Sequence, residues 1–302
     1  MERHSKRILI TGATGFIGSH LVRALTKQGH SVVVCVRPNE RTLRYPPGIT
    51  TFGVDFTKDL SVQDWLHRLK GIDVVINTVG IVRQTKSQSF DALHADSPIA
   101  LFKACEVRGI ARVIQVSALG SNEHSVSQFH RSKFQADRYL RSTRLDWAVV
   151  MPSIVYGPGA KSMSLFTAMA ALPVVPLIDS GKQVIQPIHI DDLTRAIIDL
   201  VDSQSPLQAD IEMVGPEPVS IRCLYQQLRA WLGLPAGRTL SIPYGLALYA
   251  AKLTGPLGDS PFTAATVEML REGNTASVQP FVSRFGFTPK STGLRRHAFT
   301  TG

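Results

Sequence analysis

A doubly wound, mainly parallel α/β sheet is the fold class this sequence predicts, and three observations predict it. Short, nearly all-apolar runs alternate with helical patterns through the first half of the chain. The first run, residues 7–11, breaks at once into glycines spaced G-x-x-G-x-x-G (Gly12, Gly15, Gly18) and resumes as an amphipathic helix. After Met151 the rhythm changes, and a Pro- and Gly-rich stretch opens what reads as a smaller lobe. Strands buried on both faces are apolar throughout, and their alternation with helices gives parallel crossovers.

The strand candidates are 7–11, 31–36, 50–54, 74–77, 112–116 and 147–151, all short and rich in β-branched residues. Helical patterns occupy 15–28, 61–70, 97–108 and 125–142, and Gly29 and Gly109 stand where C-terminal caps belong. Beyond the 152–159 loop we expect a helix at 162–172, a strand at 184–190, a helix at 191–201, a strand at 210–214 and a helix at 220–232. Further helical stretches are expected at 244–253 and 262–271. The expected division is 1–151 for a nucleotide-binding domain and 152–302 for a smaller lobe, partly interleaved with it.

At 302 residues the chain can hold one large α/β domain with an added lobe. Its apolar stretches are interrupted: 165–178 carries Pro173 and Pro176. None approaches the roughly 20 apolar residues of a membrane span. The start, 1–7, is short and polar, so no targeting peptide is expected. Cys35, Cys105 and Cys223 are far apart and fit neither a disulfide framework nor a zinc site, which points to a reducing, cytoplasmic compartment. The formal net charge of +10 admits a phosphate-rich cofactor, a protein complex or an acidic membrane surface. Its residues are scattered, with the densest group at Arg131, Lys133, Arg138, Arg141 and Arg144. No aromatic-interleaved basic stripe appears, so nucleic acid is not an expected partner.

Each glycine of the opening turn has a physical task. Gly12 lets the chain leave the strand sharply, Gly15 lets a pyrophosphate approach the backbone, and Gly18 allows close helix packing. The helix then directs its N–H groups and positive dipole end at phosphate. The residues of this cradle are Gly12, Thr14, Gly15, Phe16, Ile17 and Gly18. At the end of the second strand a carboxylate would mark NAD(H) by pairing with the ribose 2′-hydroxyl. The sequence instead offers Arg37, with Arg41 and Arg44 nearby and no acid before Glu40. A guanidinium fork suits a 2′-phosphate, so NADP(H) is expected over NAD(H).

Taken together, these motifs resemble the extended and atypical short-chain dehydrogenase/reductases, the NAD-dependent epimerase/dehydratase type, over about the first three quarters of the chain. TGATGFIG is similar to the family's cofactor turn. GVDF resembles its adenine-binding motif, which implies that role for Asp55. NTVG resembles the stretch beneath the cofactor, implying contacts from Asn77, Val79 and Gly80. QVSALG resembles the strand end that carries the active-site hydroxyl, here Ser117. PSIVYGPG resembles the loop against the nicotinamide, implying Pro152, Ser153 and Val155, and His189 to Leu193 resembles the family's strand-to-helix step. Within the superfamily, NTVGIVRQ, VSALG and the RSK triplet most resemble the NADPH-binding accessory subunit of respiratory complex I and its bacterial relatives. The segment MLREGN is similar to bacterial reductase-like members.

The resemblance breaks at the catalytic pair. The family places tyrosine and lysine as Y-x-x-x-K, one helical turn apart, so that the ammonium lowers the phenol pKa and holds the ribose. Here the lysine is Lys133 and the tyrosine position is Phe129, whose ring cannot move a proton. Tyr139 falls six residues later on another helical face. Two readings follow. In one, an NADP(H)-dependent oxidoreductase of unknown small-molecule substrate uses Ser117 to polarise a carbonyl and Lys133 to hold ribose and relay a proton. In the other, the protein is a non-catalytic nucleotide-binding accessory or assembly factor of a respiratory-type complex, peripheral to a membrane. His94, His124, His130 and His189 are candidate acids by type, and structural or surface roles are expected for them. His130 is expected to point a different way from Phe129 on the helix. No metal-ligand spacing appears, so no catalytic metal is expected.

Overall fold

The computed structural model describes residues 5–38, 45, 48–254, 263–272 and 274–291. The chain runs β1 (Arg7–Thr11), α1 (Phe16–Lys27), β2 (Ser31–Val36), β3 (Thr50–Gly53), α2 (Val62–Leu66) and β4 (Val74–Asn77). A π-helical segment, Asp91–Asp96, then leads into α3 (Ser97–Arg108), followed by β5 (Arg112–Val116), α4 (Gln128–Arg141) and β6 (Trp147–Pro152). It continues through β7 (Val155–Tyr156), α5 (Lys161–Ala170), β8 (Val174–Ile178), β9 (Val184–Ile185), β10 (Ile188–His189), α6 (Ile190–Asp202) and β11 (Ala209–Met213). The last elements are β12 (Val219–Ser220), α7 (Ile221–Trp231), β13 (Arg238–Ile242), α8 (Tyr244–Thr254), α9 (Ala264–Glu272) and α10 (Gln279–Phe285).

A seven-stranded sheet has the order β11-β6-β5-β4-β1-β2-β3. From β3 to β6 its neighbours are parallel. This is the doubly wound, Rossmann-type fold. Its central strands are buried end to end, as their Val and Ile content requires. Trp65, Leu101, Phe102 and Leu140 seal the helices onto the sheet. The chain divides into two compact units, Met1–Met151 with Thr194–Ile211, and Pro152–Leu193 with Glu212–Gly302. Arg112 secures the returning segment of the first unit, donating to the Asp146 carboxylate and to the carbonyls of Leu200, Ser203 and Ser205.

Several expected elements differ in extent. The helix expected over 61–70 stops at Leu66. Arg68 N–H bonds to Trp65 and Ile72 N–H to Leu69, three-residue closures that tighten the chain into turns. The helix expected from 125 begins at Gln128, because the Ser125 hydroxyl is tied back to Gly120 and accepts from Asn122 N–H. The strand expected over 184–190 splits into β9 and β10 around Pro187, which has no N–H to give a ladder. The final helix runs from Ala264 rather than 262, and Phe262 lies outside the described residues. Strands β8 and β13, α10 and the π-helical segment were not foreseen.

In the second unit, β8 and β13 pair in parallel, with Val175 and Leu177 buried on one side. Ile178 and Ile242 pack with Tyr244, Ala247, Leu248 and Ala251 of α8 and with Val267 of α9. Among the described residues, no helix is long and apolar enough to cross a membrane.

Candidate functional site

Parallel strands end on one edge of the sheet, and a row of polar residues enters its interior there. Thr11, Asn77 and Gln115 stand in register on β1, β4 and β5, and all three are buried. The Thr11 hydroxyl donates to Asn77 Oδ1 at 2.6 Å, and Asn77 Nδ2 donates to Gln115 Oε1 at 2.7 Å. Asn77 Oδ1 also accepts the Val79 N–H at 3.2 Å, which turns the chain off β4. The Thr78 hydroxyl donates back to the Thr11 carbonyl at 2.7 Å.

Helix α4 faces this edge with Phe129, Lys133 and Asp137, spaced four residues apart on one face. Lys133 is only 4% exposed. Its ammonium donates to the Val79 carbonyl at 2.9 Å and to the Val116 carbonyl at 3.0 Å. A Cβ on Gly80 would stand 3.2 Å from Lys133 Nζ, so the ammonium lies directly against that glycine. Burial brings the Lys133 pKa down to about 8, and the Asp137 charge opposes this. Ser117, just beyond β5, donates its hydroxyl hydrogen to Asp137 Oδ2. Burial pushes the Asp137 carboxyl up to about 6, while the Ser117 hydrogen bond, Lys133, Arg141 and Gln115 pull the other way.

His94, in the π-helical segment, completes the loop after β4. Its Nε2 accepts the Ile81 N–H at 3.0 Å, so Nδ1 carries the hydrogen and donates to Ser132 Oγ at 2.9 Å. Burial, and then the Lys133 charge, hold its pKa well below the ordinary value, which keeps it neutral. The loop is thus held by Thr78 on Thr11, by Lys133 on Val79 and by His94 on Ile81. Phe129 is buried and meets the rings of Phe90, His94 and His130 edge-on. His130 follows Phe129 on the helix, and the two rings meet edge-on with centroids 5.3 Å apart. Both are drawn into the buried side of α4, which the 100° helical step alone does not forbid.

At the glycine turn, Gly12 has φ 68°, and a Cβ on Gly18 would lie 2.2 Å from the Gly12 carbonyl oxygen. Both positions require glycine for the turn itself. Gly15 differs: it is exposed, and an added Cβ would meet only the Gly12 oxygen, at 3.1 Å. Gly15 is also the N-cap of α1, whose first turn carries no acid. Backbone N–H groups, a helix dipole and an exposed glycine at the N-cap are the chemistry of a phosphate cradle. Thr14, Phe16 and Ile17 flank it, each partly exposed.

The remaining expected residues fall in different surroundings. Arg37 is exposed immediately after β2, at the same sheet edge. Glu40, Arg41 and Arg44 lie outside the described residues. Asp55 accepts the Thr57 N–H and hydroxyl, and its pKa is lowered chiefly by that hydroxyl. Ser153, Pro152 and Val155 belong to the second unit or its boundary. There the Ser153 hydroxyl donates to the Gln186 carbonyl and Val155 pairs with Ile188. Tyr139 is remote from the α4 face that carries Lys133, bonding Glu106 Oε2 at 2.9 Å. His189 sits against Tyr156, and exposed His124 pairs with Glu123. Among the described residues no group of three or more His, Cys, Asp or Glu could hold a metal.

One residue, Asp137, escaped the sequence reading, although it carried a usable signal, its spacing of four beyond Lys133. His94 was singled out by residue type alone, because its contacts depend on the π-helical segment.

The model of the NAD-dependent epimerase/dehydratase family matches residues 8–211. The chain is 33% identical to a ceramide reductase of Caulobacter vibrioides over 63% of its length, spanning 59% of that protein. It is 27% identical to the mitochondrial NADH dehydrogenase (ubiquinone) 1 alpha subcomplex subunit 9 of Mus musculus, over 86% of this chain and 69% of that one. It is 24% identical to a 2-alkyl-3-oxoalkanoate reductase of Stenotrophomonas maltophilia, over 96% of this chain and 98% of that one. The chain belongs to the NAD-dependent epimerase/dehydratase family.

Proposed function

We propose that the protein is an NADP(H)-dependent reductase of a carbonyl on a compound with long alkyl chains, working without the family's tyrosine. The observation that carries the reading is the Ser117–Asp137 hydrogen bond at the end of β5, beside buried Lys133. The relatives support the class of substrate, since one is named for ceramide and another for an alkyl-substituted oxoalkanoate.

The site residues fit a nicotinamide dinucleotide. Gly15 is an exposed glycine at the N-cap of α1, and exposed Arg37 offers a fork for a 2′-phosphate. When bound, the cofactor supplies the hydride. Lys133 has three hydrogens and spends two on Val79 and Val116, which leaves one for a ribose hydroxyl. Ser117 holds the proton for the carbonyl oxygen. A protonated Asp137 can donate to Ser117 Oγ and turn the serine hydrogen toward substrate; an ionised Asp137 keeps that hydrogen for itself. Reduction is therefore favoured with Asp137 protonated and declines as pH rises through about 6.

A second reading, a nucleotide-binding accessory of a larger complex, is favoured by Phe129 at the tyrosine position and by similarity to the complex I subunit. The deciding experiment follows NADPH consumption against long-chain 3-oxo compounds by wild type and Ser117→Ala. Turnover that is lost in Ser117→Ala supports the reductase. NADPH binding with no turnover across the panel supports the accessory role.

A further inference from the structure

We infer that the second unit docks on an anionic lipid surface through α8 and the outer face of the β8–β13 ribbon. This goes beyond the proposed reaction and does not depend on it.

The distribution of exposed apolar side chains points there. Twelve large ones are exposed among the described residues, and eight of these belong to the second unit. Helix α8 is apolar around almost its whole circumference. One side, with Ala247 and Ala251, is buried against Ile178, Ile242 and Val267. On the other side Leu246, Tyr249 and Leu253 are 59%, 62% and 56% exposed. They sit at i, i+3 and i+7 and make one stripe. A helix apolar on all sides belongs in an interior, and among the described residues of its own unit nothing covers this stripe.

The stripe continues onto the ribbon. Buried Val175 and Leu177 define the inner face of β8, so Val174, Pro176 and Ile178 form the outer one. Register places Leu240 beside Pro176 and Ile242 beside Ile178. Helix α8 covers the Ile178–Ile242 end and leaves Val174 and Leu240 exposed.

Charge selects the occupant. Between Glu217 and Asp259 the sequence has no acidic residue and four basic ones, Arg222, Arg229, Arg238 and Lys252. Arg229 is spent internally on the carbonyls of Pro235, Ala170 and Leu172. Arg238 and Lys252 are exposed, one beside Leu240 and the other beside Leu253, and Arg271 stacks on Tyr244. Of the acids nearby, Asp179 is engaged by the Tyr244 N–H, and Glu268 lies one turn before Arg271 on α9. A leucine stripe with a basic rim suits the interface of an anionic bilayer, where side chains enter the acyl boundary and cations meet headgroups. A symmetric second copy would set the same cations against one another.

The test uses the full chain and vesicles of phosphatidylcholine, alone or mixed equally with phosphatidylglycerol. We expect co-sedimentation with the anionic vesicles and little with the neutral ones. The triple variant Leu246→Ser, Tyr249→Ser, Leu253→Ser should lose at least about tenfold in partitioning, and Tyr249→Ser alone, a milder change, should lose part of it. The double variant Arg238→Glu, Lys252→Glu should lose binding to the anionic vesicles while circular dichroism and NADPH titration stay unchanged. Wild type left in the supernatant overturns the inference. So does undiminished binding by a folded triple variant, which would trace binding to net charge. A dimer in light scattering that the triple variant dissociates, without vesicle binding, overturns it in favour of a second copy.

Discussion

Ser117 gives its hydroxyl hydrogen to Asp137, a carboxyl with no solvent exposure that stands one helical turn beyond Lys133. Burial is the larger force on that acid and raises its pKa to about 6 from the ordinary aspartate value of 3.8. The folded state therefore holds this proton more tightly than the unfolded chain. Its contribution to stability is complete below pH 3.8 and is lost as pH rises through about 6. Asp137→Asn removes the loss while keeping an acceptor for Ser117. The stability of the variant relative to wild type should thus grow across that window, by on the order of 2–3 kcal/mol. Urea unfolding of both proteins at several pH values measures it. A constant difference would mean that Asp137 titrates normally.

The glycines of the turn should separate by function. At Gly18 the added Cβ meets a backbone oxygen at 2.2 Å, so Gly18→Ala should destabilise the fold by about 1–3 kcal/mol or more. Gly15→Ala meets only one oxygen at 3.1 Å and should fold normally. Gly15→Val, with two further branches at the exposed N-cap, should fold and lose NADPH binding. Thermal melts and calorimetric titration of the three variants test the division.

Arg37 should set cofactor preference. A charge-assisted pair with the 2′-phosphate is worth about 1.5–3 kcal/mol. Arg37→Ala should therefore weaken NADPH by roughly 10- to 100-fold and leave NADH nearly unchanged. Equal affinities of wild type for the two cofactors would remove Arg37 from the site.

Phe129→Tyr restores a hydroxyl one turn before Lys133. General acid–base help is typically worth about 10²- to 10⁴-fold, so a reductase limited by its missing phenol should gain at least tenfold. Buried Phe129 meets His94 edge-on, and a Tyr hydroxyl there must find a partner. Turnover in wild type and Phe129→Tyr, with melting temperatures alongside, separates a chemical gain from a packing loss.

Much of this was legible in the sequence because it is local. Apolar runs set β1, β2, β4 and β5, and Gly12, Gly15 and Gly18 set the turn after β1. Lys133 and Phe129 could be placed through the resemblance to the family's Y-x-x-x-K spacing. What stayed hidden depends on distant partners. Asp137 reads as one more charge on a polar helix until Ser117 is brought against it. Strand β8 is apolar throughout, with Pro176 inside it, and β13 is exposed or half-covered along its whole length, so only their mutual pairing makes them strands. The helix over 61–70 failed at its end because propensity says nothing of the three-residue closures after Trp65.

The buried row Thr11–Asn77–Gln115 also acts as an alignment key for the sheet. Apart from Arg7 and Arg112 at their starts, strands β1, β4 and β5 are otherwise lined by Ile, Leu and Val, which would tolerate sliding past one another. A slip of one residue would set Asn77 beside an aliphatic chain and unpair several buried groups together, at about 1–3 kcal/mol apiece. The row thereby indexes the height at which each strand stops. Val79 and Ser117 follow directly from those stops, so the spacing between the Lys133 anchor and the serine hydroxyl is set by the central strands of the sheet rather than by the loops.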